Sequence, residues 1–220
     1  MSQSRYRLVC FDVDGTLVGR TVFVWQTLHE HFATDAAERQ KAWDDYFSGR
    51  VSYAQWFEHD IRLLRERGAD RRRMLHAISA LELVAGAHET LQALKDAGLV
   101  LAVISGSLNL VIEHFALGRY FDHVFVNELY FDREDRLIGW RPTPFDLESK
   151  AAGLEWLMGK HGLCAAETAF VGDNFNDLSI ARRAGLGIAF GSKCEELVRA
   201  CAVCVPGDDL RAILPHVLEG

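Results

Sequence analysis

Short apolar runs, each about as long as one β-strand, recur along this chain of 220 residues, with helix-like segments between most of them. Alternation of this kind is typical of a parallel sheet that is covered by helices on both faces. The sequence therefore predicts an α/β fold with a doubly wound parallel sheet, in which ligands bind at the carboxyl ends of the strands. The apolar runs occupy residues 6–11, 99–104, 123–126, 168–171, 186–190 and 202–205.

One long segment, residues 19–84, interrupts this alternation, because it has helical periodicity but no convincing strand run. We interpret it as an inserted helical cap, which leaves residues 1–18 and 85–220 as the core domain. Nine of the 23 aromatic residues fall in the insertion. They are expected mainly to form the core of a small helical module, and the alternative is an aromatic substrate pocket.

Charge and composition limit the partners of the chain. With 24 basic and 31 acidic residues the net charge is −7, which offers no general attraction for nucleic acid or an anionic membrane. Asp12 and Asp14 interrupt the apolar start before a signal-peptide core forms, and no apolar stretch approaches the length of a membrane span. We therefore expect a cytoplasmic protein whose five cysteines are reduced thiols.

The most informative motif is Asp12-Val13-Asp14-Gly15-Thr16-Leu17, directly after the first apolar run. Two carboxylates at the end of a buried strand repel each other unless a cation or a shared proton compensates. A single aspartate would suffice to cap the following turn. The pair therefore indicates a functional site.

A second acidic motif follows the apolar run at residues 168–171. It places Asp173 and Asp177 four residues apart, with Asn176 between them. Together with Asp12 and Asp14, these side chains form an oxygen-rich set of the kind that holds Mg²⁺, whereas zinc is disfavoured by the ligand type.

Two further segments are weak signals on their own. Ser105 and Gly106 follow the run at residues 99–104 and offer a hydroxyl and a flexible backbone to an anion, although Ser-Gly is also common in turns. Lys150 lies in a helical segment, where a lysine is usually solvated. Their interpretation depends on the other motifs.

Taken together, these segments resemble the haloacid dehalogenase-like superfamily, whose phosphatases combine DxDGT, a Ser or Thr, a Lys and GDxxND in this order. Three segments resemble the phosphoserine phosphatase-like branch more specifically. They are ISG, the hairpin VNELYFDREDRLIG and GDNFNDLSI. The helical insertion directly after DVDGTL also fits the cap position of that branch. The resemblance implies a Mg²⁺-dependent phosphomonoesterase that acts on a small phosphorylated metabolite through an aspartyl-phosphate.

The resemblance also implies a role for each matched residue. Asp12 is expected to be the nucleophile, and Asp14 the acid and base that serves first the leaving alcohol and then the attacking water. The metal ligands implied are Asp12, Asp173 and the backbone carbonyl of Asp14, with Asp177 acting mainly through metal waters. The phosphate ligands implied are Ser105, the amide of Gly106, Lys150 and Asn176.

The cap departs from the pattern of the serine-specific members, which use a Glu after the first motif and an Arg in the middle of the cap. Counting without gaps from DVDGTL places Thr21 at the acidic position, and setting GRVSYAQWFEHD on the cap motif places Glu58 at the arginine position. A carboxylate cannot pair with the carboxylate of a substrate, although Arg62, one turn further on, is a possible substitute. We therefore expect Glu58, Arg62, Trp25 and Trp56 to set the specificity, with a leaving group other than serine.

Two alternatives remain open from the sequence. A phosphotransferase would use the same residues but pass the phosphoryl group to a second alcohol. A non-catalytic binding module would keep the fold without turnover, which the complete set of chemical residues disfavours. A dehalogenase is disfavoured because its reaction at carbon needs neither Asp14 nor a metal.

Overall fold

The structure, a computed structural model, describes residues 4–219 and is built around a seven-stranded sheet. All neighbouring strands of this sheet are parallel except the last pair, β5 and β6, which form the hairpin expected around residues 127–140. The strand order is β6-β5-β4-β1-β7-β8-β9. The strands are β1 (Leu8–Phe11), β2 (Val18–Gly19), β3 (Glu82–Leu83), β4 (Val100–Leu108), β5 (His123–Phe131), β6 (Leu137–Arg141), β7 (Thr168–Gly172), β8 (Leu186–Phe190) and β9 (Val203–Val205).

Helices cover both faces of the sheet, so the predicted α/β fold with a doubly wound sheet is confirmed. Two apolar clusters, one on each face, pack between the strands and these helices. The helices are α1 (Val24–His31), α2 (Ala36–Phe47), α3 (Tyr53–Glu66), α4 (Arg71–Ile78), α5 (Ala87–Asp96), α6 (Asn109–His114), α7 (Lys150–His161), α8 (Leu178–Arg183), α9 (Glu195–Ala200) and α10 (Leu214–Leu218).

The central strand β1 lies between β4 and β7, and each of its four residues is completely buried. Burial on both faces explains why its sequence is continuously apolar rather than alternating. Because the strands on either side of β1 are parallel to it, the segments that follow β1, β4 and β7 meet at one edge of the sheet. All the acidic and phosphate-binding motifs of the sequence except Lys150 lie in or next to these segments.

Helices α1 to α4 lie between β2 and β3, which pair antiparallel at the base of the insertion. Helix α3 begins at Tyr53 because the Ser52 side chain accepts a hydrogen bond from the Gln55 amide, while Gln55 accepts one from the Ser52 amide. This capping box defines the first turn of α3. The boundaries of the cap at residues 19–84 stay a prediction.

The structure also bears on the expectations from composition. All five cysteines are free thiols. Within residues 4–219, every helix is too short or too polar to cross a bilayer.

Candidate active site

The loop after β1 carries Asp12 and Asp14, which are only 2% and 5% exposed. Gly15 follows with φ +84°, a conformation that glycine adopts without strain. A Cβ at Gly15 would lie 2.2 Å from a carboxylate oxygen of Asp173, so only glycine permits the two loops to approach this closely. The first and second acidic motifs therefore form a single site.

Lys150 connects the two motifs. Its side chain is completely buried, and Nζ donates to Asp12 Oδ1 at 2.8 Å and to Asp177 Oδ1 at 2.7 Å. Burial alone would lower the pKa of Lys150, but the carboxylates of Asp12, Asp177 and Asp146 raise it above its ordinary value. Lys150 is therefore a fixed positive charge in contact with Asp12.

Carboxylate oxygens of Asp12, Asp173 and Asp177 lie within 4.8 Å of one another. Backbone amides of Asp173 and Asn174 donate to Asp177 Oδ2 at 2.9 and 3.1 Å, and Thr16 donates to Asp173 Oδ1 at 2.8 Å. Burial, followed by the charges of Asp12 and Asp177, raises the pKa of Asp173 to about 8. One lysine cannot neutralise three close carboxylates, so this donor set fits a hard divalent cation bound by oxygen.

Asp14 is held by two hydrogen bonds that do not involve this acidic cluster. Its Oδ2 accepts from the Val24 amide and its Oδ1 from the Ser107 hydroxyl, both at 2.7 Å. Burial raises the pKa of Asp14 to about 7 although both hydrogen bonds oppose this shift. A carboxyl group with such a pKa can both donate and accept a proton near neutral pH.

The end of β4 supplies Ser105 and Gly106 opposite the loop after β1. Ser105 is buried, and its hydroxyl accepts from the Ser107 amide at 3.1 Å. The carbonyl of Gly106 accepts from Asn127 Nδ2 at 2.7 Å and from Trp25 Nε1 at 3.0 Å, which fixes the orientation of this peptide. On the loop after β7, Asn176 is also buried, and its Oδ1 has no hydrogen-bond partner.

A cavity of about 270 Å³ lies between these loops and the helical insertion. Its polar floor includes Asp12, Asp14, Ser105, Gly106 and Asn176, so the structure brings these predicted residues together. The other side of the cavity is formed largely by aromatic side chains of the insertion, including the predicted Trp25 and Trp56. Lys150 contacts the floor at Asp12, and Asp173 and Asp177 lie within 4.8 Å of Asp12 without lining the cavity.

Two predicted specificity residues lie elsewhere. Glu58 and Arg62 border a separate groove on the outer side of α3, and Arg62 pairs with Glu38 and Glu66 at 2.9 and 2.7 Å. The structure therefore does not bring these two residues to the cavity that holds Asp12. Aligning a sequence motif does not determine which residues of a helix face the substrate. Helix α3 turns Asp60 toward the cavity instead.

Sequence reasoning missed other residues of the site. Asp146 lies so close to Gly106 that a Cβ on this glycine would be 2.2 Å from its carboxylate, and burial raises the pKa of Asp146. Ser107, which orients Asp14, follows ISG directly, and this adjacency was the available signal. Asp60 and Arg39 also face the cavity, but no motif distinguishes them from the other charged residues of the insertion.

Comparison with known proteins agrees with this arrangement. The family model described as haloacid dehalogenase-like hydrolase matches residues 6–185. A phosphoserine phosphatase of Methanocaldococcus jannaschii is 29% identical over 98% of this chain and 99% of its own length. Another, from Archaeoglobus fulgidus, is 31% identical over 85% of this chain and 53% of its own length.

Solved structures show the same relationship. A substrate-bound phosphoserine phosphatase complex has a TM-score of 0.75 and 26% identity, covering 96% of this chain and 98% of the other. A phospho-aspartyl intermediate analogue of a phosphoserine phosphatase has a TM-score of 0.74 and 26% identity, covering 96% and 99%. This chain therefore belongs to the haloacid dehalogenase-like hydrolases, in their phosphoserine phosphatase-like branch.

Proposed function

We propose that this phosphatase is a Mg²⁺-dependent phosphomonoesterase that hydrolyses a small phosphorylated metabolite through an aspartyl-phosphate on Asp12. The observation that carries the proposal is the position of Asp12, which borders the cavity while its Oδ1 contacts the buried ammonium of Lys150 at 2.8 Å. The similarity to a phospho-aspartyl intermediate analogue supports the same nucleophile. No contact among residues 4–219 favours a phosphotransferase or a binding module.

Asp12, Asp173, Asp177 and the main-chain carbonyl of Asp14 would hold the metal ion. The three close carboxylates fit this group, as their oxygen ligands are those that Mg²⁺ prefers. The bound ion would supply positive charge against the phosphate. Ser105, the Gly106 amide, Lys150 and Asn176 would contact the phosphate oxygens and hold the phosphorus in line with Asp12.

Asp12 forms a bond to phosphorus as the bond from phosphorus to the leaving alcohol breaks. Protonated Asp14 gives its proton to that alcohol and becomes a carboxylate. The carboxylate then takes a proton from a water molecule, whose oxygen attacks phosphorus and releases Asp12 and inorganic phosphate. The two hydrogen bonds to Asp14 orient it for both transfers.

Exchange of Asp14 for asparagine is expected to lower kcat by about 10²–10⁴-fold, the usual contribution of a positioned acid and base. The Mg²⁺ concentration for half-maximal activity should change much less, because the proposed ligand of this residue is its carbonyl. Steady-state kinetics at varied Mg²⁺ measure both quantities. A loss confined to Mg²⁺ affinity would contradict the assigned role.

Activity is expected to require Mg²⁺, to disappear on chelation and to be inhibited by Ca²⁺, whose longer ligand distances misplace Asp12. A panel of phosphomonoesters assayed for phosphate release tests this requirement and the proposed function together. Undiminished activity after chelation would reject the metal site.

In Asp173→Asn, the Mg²⁺ concentration for half-maximal activity should rise at least about tenfold, since the loss of even a supporting group has effects of this size.

The metabolite itself, and the predicted cytoplasmic location without nucleic-acid or membrane partners, stay predictions. The relatives named above are phosphoserine phosphatases, so phosphoserine belongs in the panel. The cap residues that face the cavity would determine which of the candidate substrates is preferred.

A further inference from the structure

The side of the cavity formed by the insertion is aromatic. Trp43 and Trp56 border it with ring centroids 5.4 Å apart and planes nearly perpendicular, at 89°. Tyr46 stacks on Trp56 at 4.8 Å, and Phe175, from the loop after β7, approaches Trp43 at 6.4 Å. These rings hold one another at different angles, and those of Trp43, Trp56 and Phe175 line the cavity, where they offer aromatic surface to a cation.

Asp60 is a carboxylate on this aromatic side whose ion-pair partners are two histidines, His29 and His59. Its residue is 93% buried, and its Oδ1 makes no hydrogen bond. His29 Nε2 and His59 Nδ1 both lie 3.7 Å from Oδ1, beyond hydrogen-bond distance. Burial lowers the pKa of His29, so this ring is neutral at neutral pH. His59 likewise makes no hydrogen bond to Oδ1, and a nearly buried carboxylate oxygen without a donor is unfavourable unless a ligand supplies one.

The charges that face the cavity oppose a carboxylate on the leaving group. Besides Asp12 and Asp14 of the reaction centre, Asp60 and Asp146 are both acidic, and Arg39 is the one basic side chain that lines the described cavity. Asp146 already lies near the positive charge of Lys150, so Asp60 and the aromatic side chains are the groups that would attract a positive group and repel a negative one. Arg39 provides the competing hypothesis, because a guanidinium could bind a substrate carboxylate.

We propose that the leaving group is an amino alcohol with no carboxylate, whose ammonium pairs with Asp60 and lies against the faces of Trp43 and Trp56. This inference rests on the proposed phosphomonoesterase and specifies its substrate class. A primary ammonium would favour the carboxylate, whereas a methylated ammonium would gain more from the rings. Phosphoethanolamine and phosphocholine represent these two chemistries.

The test compares kcat/KM for phosphoethanolamine, phosphocholine, phosphoserine and glycerol phosphate. In the wild type, the better of the two cationic esters should exceed glycerol phosphate and phosphoserine by at least about tenfold. In Asp60→Asn, the ratio of cationic ester to glycerol phosphate should fall about tenfold or more. A ratio is the suitable measure because a fraction of misfolded enzyme affects both substrates equally.

Glu58→Gln is the matched control, because it removes a carboxylate from the same helix but on the outer side. Its substrate ratios should equal those of the wild type. Trp43→Leu is a second variant and should lower phosphocholine turnover more than glycerol phosphate turnover. Higher kcat/KM for phosphoserine than for either cationic ester, lost in Arg39→Gln, would overturn the proposal in favour of a carboxylate-bearing substrate.

Calorimetry separates failure of this inference from failure of the proposed function. With inorganic phosphate present, choline or ethanolamine should bind wild type at least about fivefold more tightly than Asp60→Asn. Binding without hydrolysis of any ester would reject the phosphomonoesterase but retain the cation site. Hydrolysis with no preference for cationic esters and no effect of Asp60→Asn would reject the cation site alone.

Discussion

Replacing Asp12 by asparagine is expected to reduce kcat by at least about 10⁴-fold, in the range seen when an enzyme loses its nucleophile. An amide is neither an adequate nucleophile nor an anionic metal ligand. The substitution also removes one of the two carboxylates that contact Lys150. The side-chain volume hardly changes, so the fold should persist. Phosphate release in a single-turnover assay, followed over hours, measures the residual rate.

Asp208→Asn is the control for this substitution, because Asp208 is an exposed carboxylate outside the site. It should retain wild-type turnover. Thermal unfolding of both variants shows whether either has lost its structure. Turnover of Asp12→Asn within a few-fold of the wild type, with the fold intact, would reject Asp12 as the nucleophile.

The parts of the molecule that follow from short-range sequence patterns were predictable. The apolar runs that became β1, β7 and β8 are continuous because both faces of a parallel sheet are buried. The acidic motifs come directly after two of these strands. Parallel neighbours bring such strand ends to one edge, so the sequence indicated that Asp12 and Asp173 would be close.

Lys150 shows where local pattern was insufficient. Its segment has the composition of a solvated helix, and yet the structure buries the side chain completely between two carboxylates. Only the family resemblance pointed to it. The burial of a long charged side chain depends on partners that are distant in sequence, here 138 residues away at Asp12.

The cap was the least predictable region. The sequence favours a helical core for its aromatic residues over an aromatic pocket, whereas the structure places several of them along the cavity. Glu58 and Asp60 are two residues apart on α3 and therefore point in different directions. Which of them faces the cavity depends on how the apolar face of α3 packs, and matching a motif by position does not give this information.

Replacing Lys150 by methionine is expected to lower the free energy of unfolding by about 3–5 kcal/mol, as breaking a buried ion pair leaves a charge without its partner. Methionine has a similar length, so the decrease in stability reflects the missing charge rather than a cavity. Because the proposed metal ion would neutralise the same carboxylates, saturating Mg²⁺ should stabilise the variant more than the wild type. Denaturant unfolding with and without Mg²⁺ measures both effects, and activity should fall with the lost phosphate contact.

The control for this experiment is Lys160→Met, on the same helix. Lys160 is exposed and lies over the ring of Trp156, with its Nζ 5.0 Å from the ring centroid. The decrease in the free energy of unfolding should be much smaller for this variant and independent of Mg²⁺, since Lys160 does not contact the acidic cluster. Equal losses for the two lysine variants would mean that Lys150 does not compensate the carboxylates. A stability of Lys150→Met that fails to respond to Mg²⁺ would place the metal ion elsewhere.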